Sequence, residues 1–176
     1  MKAIKILFLL AIAVISGSSV IIFSGVVDVA ADKPHGKFVY WLLQETRENS
    51  IAKASENIIV PDLSDFELLL TGGVDYEFMC AGCHLAPGLK QSDMSLGLYP
   101  APTNLSLTYE KQVKQGAKNE AAQARNFWII KHGVKASGMP AWGKTHDDQR
   151  IWAMVAFLDR LPTLTPEQYQ ILTAID

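Results

Sequence analysis

"MCAGCHLAPG", residues 79–88, holds both cysteines of the 176-residue chain, three positions apart, with His84 directly after the second. A bridge across two intervening residues closes a very small loop and removes little chain entropy, so stapling is a weak reason for the pair. The spacing asks for a chemical explanation, and the flanking segments decide which one applies.

Upstream, "SDFELLLTGGVDYEFMC" (64–80) reads as a helix, with Ser64 and Glu67 at capping-box spacing. Gly72 and Gly73 inside it each cost roughly 1 kcal/mol relative to alanine, which points to close approach of another backbone. Gly72, Tyr76 and Cys80 fall four apart and share one face. Downstream, 84–108 is a loop carrying Pro87, Pro100 and Pro102. "NEAAQARNFWIIKH" (119–132) is a helix with Asn119 as N-cap and Gly133 as its stop. "KASGMPAWGKTH" (135–146) is loop again, before a last strong helix over 147–161 with Asp147 and Asp148 at its positive end and Pro162 beyond. Nearer the N-terminus, 37–58 lacks glycine and proline and is rich in helix formers. No segment alternates in the manner of a strand, and no internal repeat occurs. The reading is all-α, with the domain over 64–165 and a C-terminal tail over 166–176.

The chain starts "MKAIKILFLLAIAVISGSSVIIFSGVVDVAADK", with Lys2 and Lys5 ahead of an uncharged run from Ile6 to Val27. Twenty-two helical residues rise about 33 Å, close to the hydrocarbon thickness of a bilayer and longer than the apolar part of a secretory signal. Residues 1–28 are therefore read as a membrane anchor or uncleaved signal, with removal after Ser18, within the Ser16–Ser19 cluster, or at Val29-Ala30-Ala31 as the alternative. Either way Lys2 and Lys5 keep the N-terminus cytoplasmic and the remainder is exported. Residues 29–63 form a membrane-proximal helical linker. The formal net charge of −2 gives no footing for a nucleic-acid partner.

Three chemistries compete for Cys80 and Cys83. A redox dithiol needs its first cysteine at a helix N-terminus, within a fold that contains strands. Here Cys80 ends a helix and strands are lacking. Tetrahedral zinc needs four ligands, normally with a second close pair, and His35, His132 and His146 form none. Cys80-x-x-Cys83-His84 matches the attachment signature of c-type haem in full. Two thioethers would tether one porphyrin edge, and the imidazole of His84 would come up beneath the iron.

The other axial position then separates a carrier from a catalyst. The candidates are Met79, Met94, Met139, Met154, His35, His132 and His146. Met79 and Met154 stand at core-like helical positions, Met94 lies near the attachment site, His132 is placed to cap helix carbonyls, and His146 is placed to face solvent. Met139 is in a loop between two helices, between Gly138 and Pro140, where the backbone is extended and can approach a flat ligand. It is the expected second ligand.

With Cys80-Ala81-Gly82-Cys83-His84, Gly138-Met139-Pro140 and the two flanking helices in this order, the chain resembles the class I, single-haem cytochromes c over about 64–165. The resemblance implies one covalent haem c, with Cys80, Cys83, His84 and Met139 as cofactor-binding residues and His84 and Met139 as metal ligands. It implies that the first and last helices cross, bringing Met154 and Phe157 to Gly72 and Tyr76. It implies a proline carbonyl, Pro100 or Pro102, on the ring N–H of His84. Phe127, Trp128, Ile129, Ile130 and Trp142 are expected to wall the haem, with Trp142 a candidate donor to a propionate.

The function implied is one-electron transfer, with no catalytic residues and no substrate chemistry of its own. Its redox partners would be a dehydrogenase or quinol-oxidising complex upstream and an oxidase or reductase downstream. The location implied is the bacterial inner membrane, single-pass with the haem domain in the periplasm, or the soluble periplasm after cleavage. Two alternatives stand beside this: the haem subunit of a larger membrane-bound dehydrogenase or oxidase complex, and a haem gas sensor or enzyme with a labile methionine. Seven basic residues between Glu110 and His146 face two acids, whereas 62–83 holds five acids and no base. That asymmetry would steer docking toward an acidic partner.

Overall fold

The computed structural model describes residues 2–107 and 120–174. The chain divides into two compact units, Met1–Lys33 and Pro34–Asp176.

The first unit is built on helix α1, Lys2–Phe23, whose 22 residues are long and apolar enough to cross a membrane. It passes unbroken through the serine cluster. Ser19 turns its hydroxyl back onto the Ile15 carbonyl at 2.9 Å, so this polar group is satisfied within the helix.

The second unit holds α2 (Lys37–Ser55), α3 (Phe66–Met79), the single turns α4 (Ala81–His84) and α5 (Asp93–Leu96), α6 (Glu120–His132), α7 (Asp148–Arg160) and α8 (Pro166–Thr173). Short 3₁₀ turns cover Trp142–Lys144 and Leu161–Thr163. Among the described residues there is no strand, so the all-α expectation holds.

Local chemistry sets the helix ends. α3 is capped by Asp65, not by Ser64 as expected: the Asp65 carboxylate accepts the Glu67 amide at 3.0 Å, while the Ser64 amide is already given to Asp62. Asp147 caps α7 by accepting the Arg150 amide at 2.9 Å. The expected N-cap Asn119 lies outside the described residues. Gly133 stops α6 with a φ of +66°, and a side chain there would lie 2.7 Å from the Met139 carbonyl oxygen. One glycine thus ends the helix and lets the Met139 loop fold back on it.

The core forms where α3 crosses α7. A methyl group on Gly72 would run into the carbonyl of Ala153, with the Met154 amide nitrogen 3.0 Å away, so the two backbones are in direct contact. Met154 and Phe157 are fully buried beside this crossing, and the Phe157 ring packs on Tyr76 with centroids 5.4 Å apart. The expected meeting of Met154 and Phe157 with Gly72 and Tyr76 is observed.

One turn further on, the buried Asp75 carboxylate accepts both Arg150 Nε at 2.7 Å and Nη2 at 2.6 Å, which fixes the register of the crossing. Arg150→Ala leaves that carboxylate buried without a counterion. Because the guanidinium is half-exposed, the expected loss is about 1–3 kcal/mol, and thermal unfolding followed by circular dichroism checks it.

Helix α8 occupies residues read from the sequence as a tail. A reciprocal Thr165–Gln168 capping box starts it. It buries Tyr169, whose hydroxyl donates to Glu77 on α3, and a side chain on Gly73 would meet the Leu172 carbonyl oxygen at 2.5 Å. α3 is therefore clasped by α7 and by α8.

Candidate cofactor site

Cys80 is the residue at which α3 ends, and its carbonyl accepts the amides of Cys83 at 3.0 Å and His84 at 2.8 Å. The tight turn of α4 presents the two sulfurs and the imidazole within one short segment. The two cysteines are not bridged to each other. Burial, reinforced by the nearby Asp75 and Cys83, pushes the Cys80 thiol up to about 12. A sulfur so reluctant to become thiolate does not suit a redox dithiol.

The backbone of the motif is fastened from α3. The Tyr76 hydroxyl donates to the Leu85 carbonyl at 2.6 Å, and Leu85 has a φ of +67°, a strained value for a non-glycine residue. Burial, then the neighbouring Cys80 and Glu77, push the Tyr76 phenol well above its ordinary value, so it stays a proton donor.

His84 Nδ1 lies 2.8 Å from the carbonyl oxygen of Thr103. A carbonyl only accepts, so Nδ1 carries the proton and the Nε2 lone pair is left free to bind a metal. This corrects the expectation of a proline carbonyl. Pro100 and Pro102 both line the cavity, and the acceptor is the residue that follows Pro102. The Leu105 amide donates to the His84 carbonyl at 3.1 Å and holds the same loop against the motif.

A cavity of about 330 Å³ is lined by Cys80, Cys83, His84 and Met139. Of the other axial candidates, Met79 and Met154 also reach its wall. Met94 is exposed on α5, and His35, His132 and His146 do not line it. Met139 comes from the loop between α6 and α7. Its amide donates to the Ser137 hydroxyl oxygen at 3.1 Å, and its carbonyl accepts the Val134 amide at 3.2 Å. Gly138 faces Leu98, and a side chain there would lie 2.9 Å from the tip of that leucine, which would have to shift.

Ile129, Ile130 and Trp142 line the cavity as expected. Phe127 and Trp128 do not. Phe127 turns to the other side of α6 and stacks on Trp152 at 4.1 Å, and Trp128 pairs with His132 at 5.1 Å. Helical spacing told which residues share a face but not which neighbour that face meets.

The wall also includes groups the sequence reading did not single out. α2 contributes Arg47, Glu48 and Ile51, and Ile51 is 3% exposed. Glu48 accepts from Arg47 at 2.8 Å and from Arg125 of α6 at 2.6 Å. Burial pushes its carboxyl up, but the Arg125 and Arg47 guanidiniums outweigh that and hold it below the usual carboxylate range. No local signal marks this contact, because Glu48 and Arg125 lie 77 residues apart.

A larger hollow of about 670 Å³ between residues 60–66 and the end of α7 contains no cysteine, histidine or methionine. The smaller cavity has the donor set for a covalent haem. It offers two thiols at attachment spacing, an imidazole with the correct tautomer, a thioether and an apolar wall.

The charge asymmetry noted from the sequence is described only in part. Lys111, Lys114 and Lys118 lie outside the described residues, Arg125 is paired with Glu48, and Lys131 is paired with Asp148 at 2.6 Å.

Residues 68–158 match the family model described as cytochrome c oxidase, cbb3-type, subunit III. The matched stretch runs from α3 into α7 and so contains the whole Cys80–His84 motif and Met139. Neither the curated proteins nor the solved structures gave a match. The attachment motif, the helix crossing and the family match agree: the chain belongs to the cbb3-type cytochrome c oxidase subunit III family, and its helical domain is a single-haem c-type cytochrome with covalently bound haem c.

Proposed function

We propose that this protein is a membrane-tethered one-electron carrier in which His84 and Met139 are the two axial ligands. The observation that carries the reading is that Met139 and His84 line one cavity, while Thr103 leaves the His84 Nε2 lone pair free. When bound, haem c supplies a ferric/ferrous couple that takes up and releases single electrons. The chain's own residues do the rest. Cys80 and Cys83 hold the cofactor by thioether bonds, and Thr103 orients the imidazole. Met139 would supply a soft thioether ligand, which favours the ferrous state. Ile129, Ile130 and Trp142 exclude water, which keeps rearrangement on electron transfer small.

α1 anchors the chain with the haem domain on the exported, periplasmic side, a reading supported by Lys2 and Lys5 at its N-terminal end. Electrons arrive from a dehydrogenase or quinol-oxidising complex and pass to an oxidase or reductase, and the protein has no substrate chemistry of its own. The absorption spectrum and carbon monoxide binding of the purified protein test the ligation. The expected result is a six-coordinate spectrum with the weak far-red sulfur-to-iron band and no rapid carbon monoxide binding after reduction. Rapid binding would instead identify a sensor or enzyme with an open iron.

A second reading is favoured by the matched family, whose own description is of an oxidase subunit. In it the chain is a haem subunit of a larger membrane complex. Purification from membranes in mild detergent separates the two: a stoichiometric partner that stays bound identifies the subunit, and an isolated chain identifies the free carrier.

A further inference from the structure

Helix α2 lies outside the residues that match the family, yet it supplies part of the cavity wall. Its C-terminal half is packed on the domain. Ile51 and Ser55 are buried, and the Glu48 carboxylate joins Arg47 on α2 to Arg125 on α6. The bonds are well formed: Arg47 gives Nε at 3.1 Å and Nη2 at 2.8 Å to one oxygen, and Arg125 gives Nη2 at 2.6 Å to the other. All three side chains are 38–39% exposed, so the group stands at the rim of the cavity.

Among the described residues lining the cavity, Arg47 and Arg125 are the permanent cations and Glu48 the only acid. Two positive charges and one negative leave a net charge of one positive. Haem c brings two propionate carboxylates, which need cationic or hydrogen-bond-donating partners when they leave water. A guanidinium offers five donors in a planar fork, and Glu48 uses only part of each, leaving donors free for a second carboxylate.

We propose that α2 completes the cofactor site, with Arg125 and Arg47 binding the haem propionates and Glu48 holding both guanidiniums in place while setting the local charge. The proposal rests on the assignment of a covalent haem to this cavity. Reduction adds one electron from a redox partner, breaks no bond, and makes the cofactor one charge more negative. A positive charge at the rim therefore favours the reduced form, and a negative charge opposes it. Glu48 is a positioning residue that acts through Arg125.

The test uses the full-length, haem-loaded protein in detergent, with the ratio of reduced to oxidised protein read optically at a fixed applied potential. Glu48→Gln keeps the shape and removes the negative charge, and the ratio is expected to rise roughly threefold, or about 28 mV at 59 mV per tenfold. Arg125→Gln is expected to lower the ratio by a similar factor, and Arg125→Lys to restore most of it. The double variant Glu48→Gln/Arg125→Gln should return near the unsubstituted value. General loosening of the site would move every variant in one direction. Unchanged ratios, or shifts of Glu48→Gln and Arg125→Gln in the same direction, overturn the proposal. The far-red band of the unsubstituted protein reports separately on Met139, so the two readings fail independently.

Discussion

Met139→Ala is expected to abolish the far-red sulfur-to-iron band and to let the reduced protein bind carbon monoxide rapidly. Its reduction potential should fall by a few tenths of a volt, within the roughly 0.8 V that axial ligands command. The expectation follows from the wall that Met139 occupies. Met79 and Met154 are the other methionines lining the cavity, and both are held elsewhere. Met154 is 1% exposed and lodged at the contact of α7 with Gly72, so moving it would undo the helix crossing. Met79 immediately precedes the attachment cysteine on α3 and packs against the core. The loop that carries Met139 is firmly held by Val134, Ser137 and Gly133, so alanine should remove a ligand without collapsing the loop. A visible spectrum of the variant that keeps its sulfur band would overturn the assignment of the ligand.

Gly72→Val is expected to be the most damaging single change to the fold. Even the first side-chain carbon collides with the Ala153 carbonyl, and neither partner is the end of a flexible side chain that can swing away. The helices must separate, and the contacts of Tyr76, Met154 and Phe157 loosen with them. A loss of about 3 kcal/mol or more is expected, lowering the melting temperature by roughly 10 °C. Gly72→Ala should show a smaller loss of the same sign. An unchanged melting temperature in Gly72→Val would mean that the crossing is not as close as described.

Much of this architecture was legible from local rules. Cys80-x-x-Cys83-His84 names its chemistry because two thioethers and an imidazole require that spacing. Gly72 and Tyr76 announced a close crossing because glycines inside a helix need a reason. The start of α7 at its acidic pair, Asp147 and Asp148, and the stop of α6 at Gly133 were equally plain.

What was not legible depends on contacts between distant segments. Thr103 accepts from His84 across 19 residues of chain, and only the folded loop decides which carbonyl after the prolines arrives there. The docking of α2 rests on Ile51 and on the Glu48–Arg125 pair, which look like ordinary residues of an exposed helix. α8 had its capping box in view, Thr165 and Gln168, but eight residues make no stable helix alone, and the packing of Tyr169 and Leu172 gains meaning only against Glu77 and Gly73.

The double clasp on α3 also bears on the order of events during biosynthesis. α7 and α8 follow α3 in the chain, so the cysteines at the end of α3 are synthesised before the helices that clasp it. In the finished fold Cys80 is 8% exposed, enclosed by the core on every side but that of the cavity. Cofactor ligation is therefore expected to precede full docking of these helices, whose closure afterwards would seal the product in.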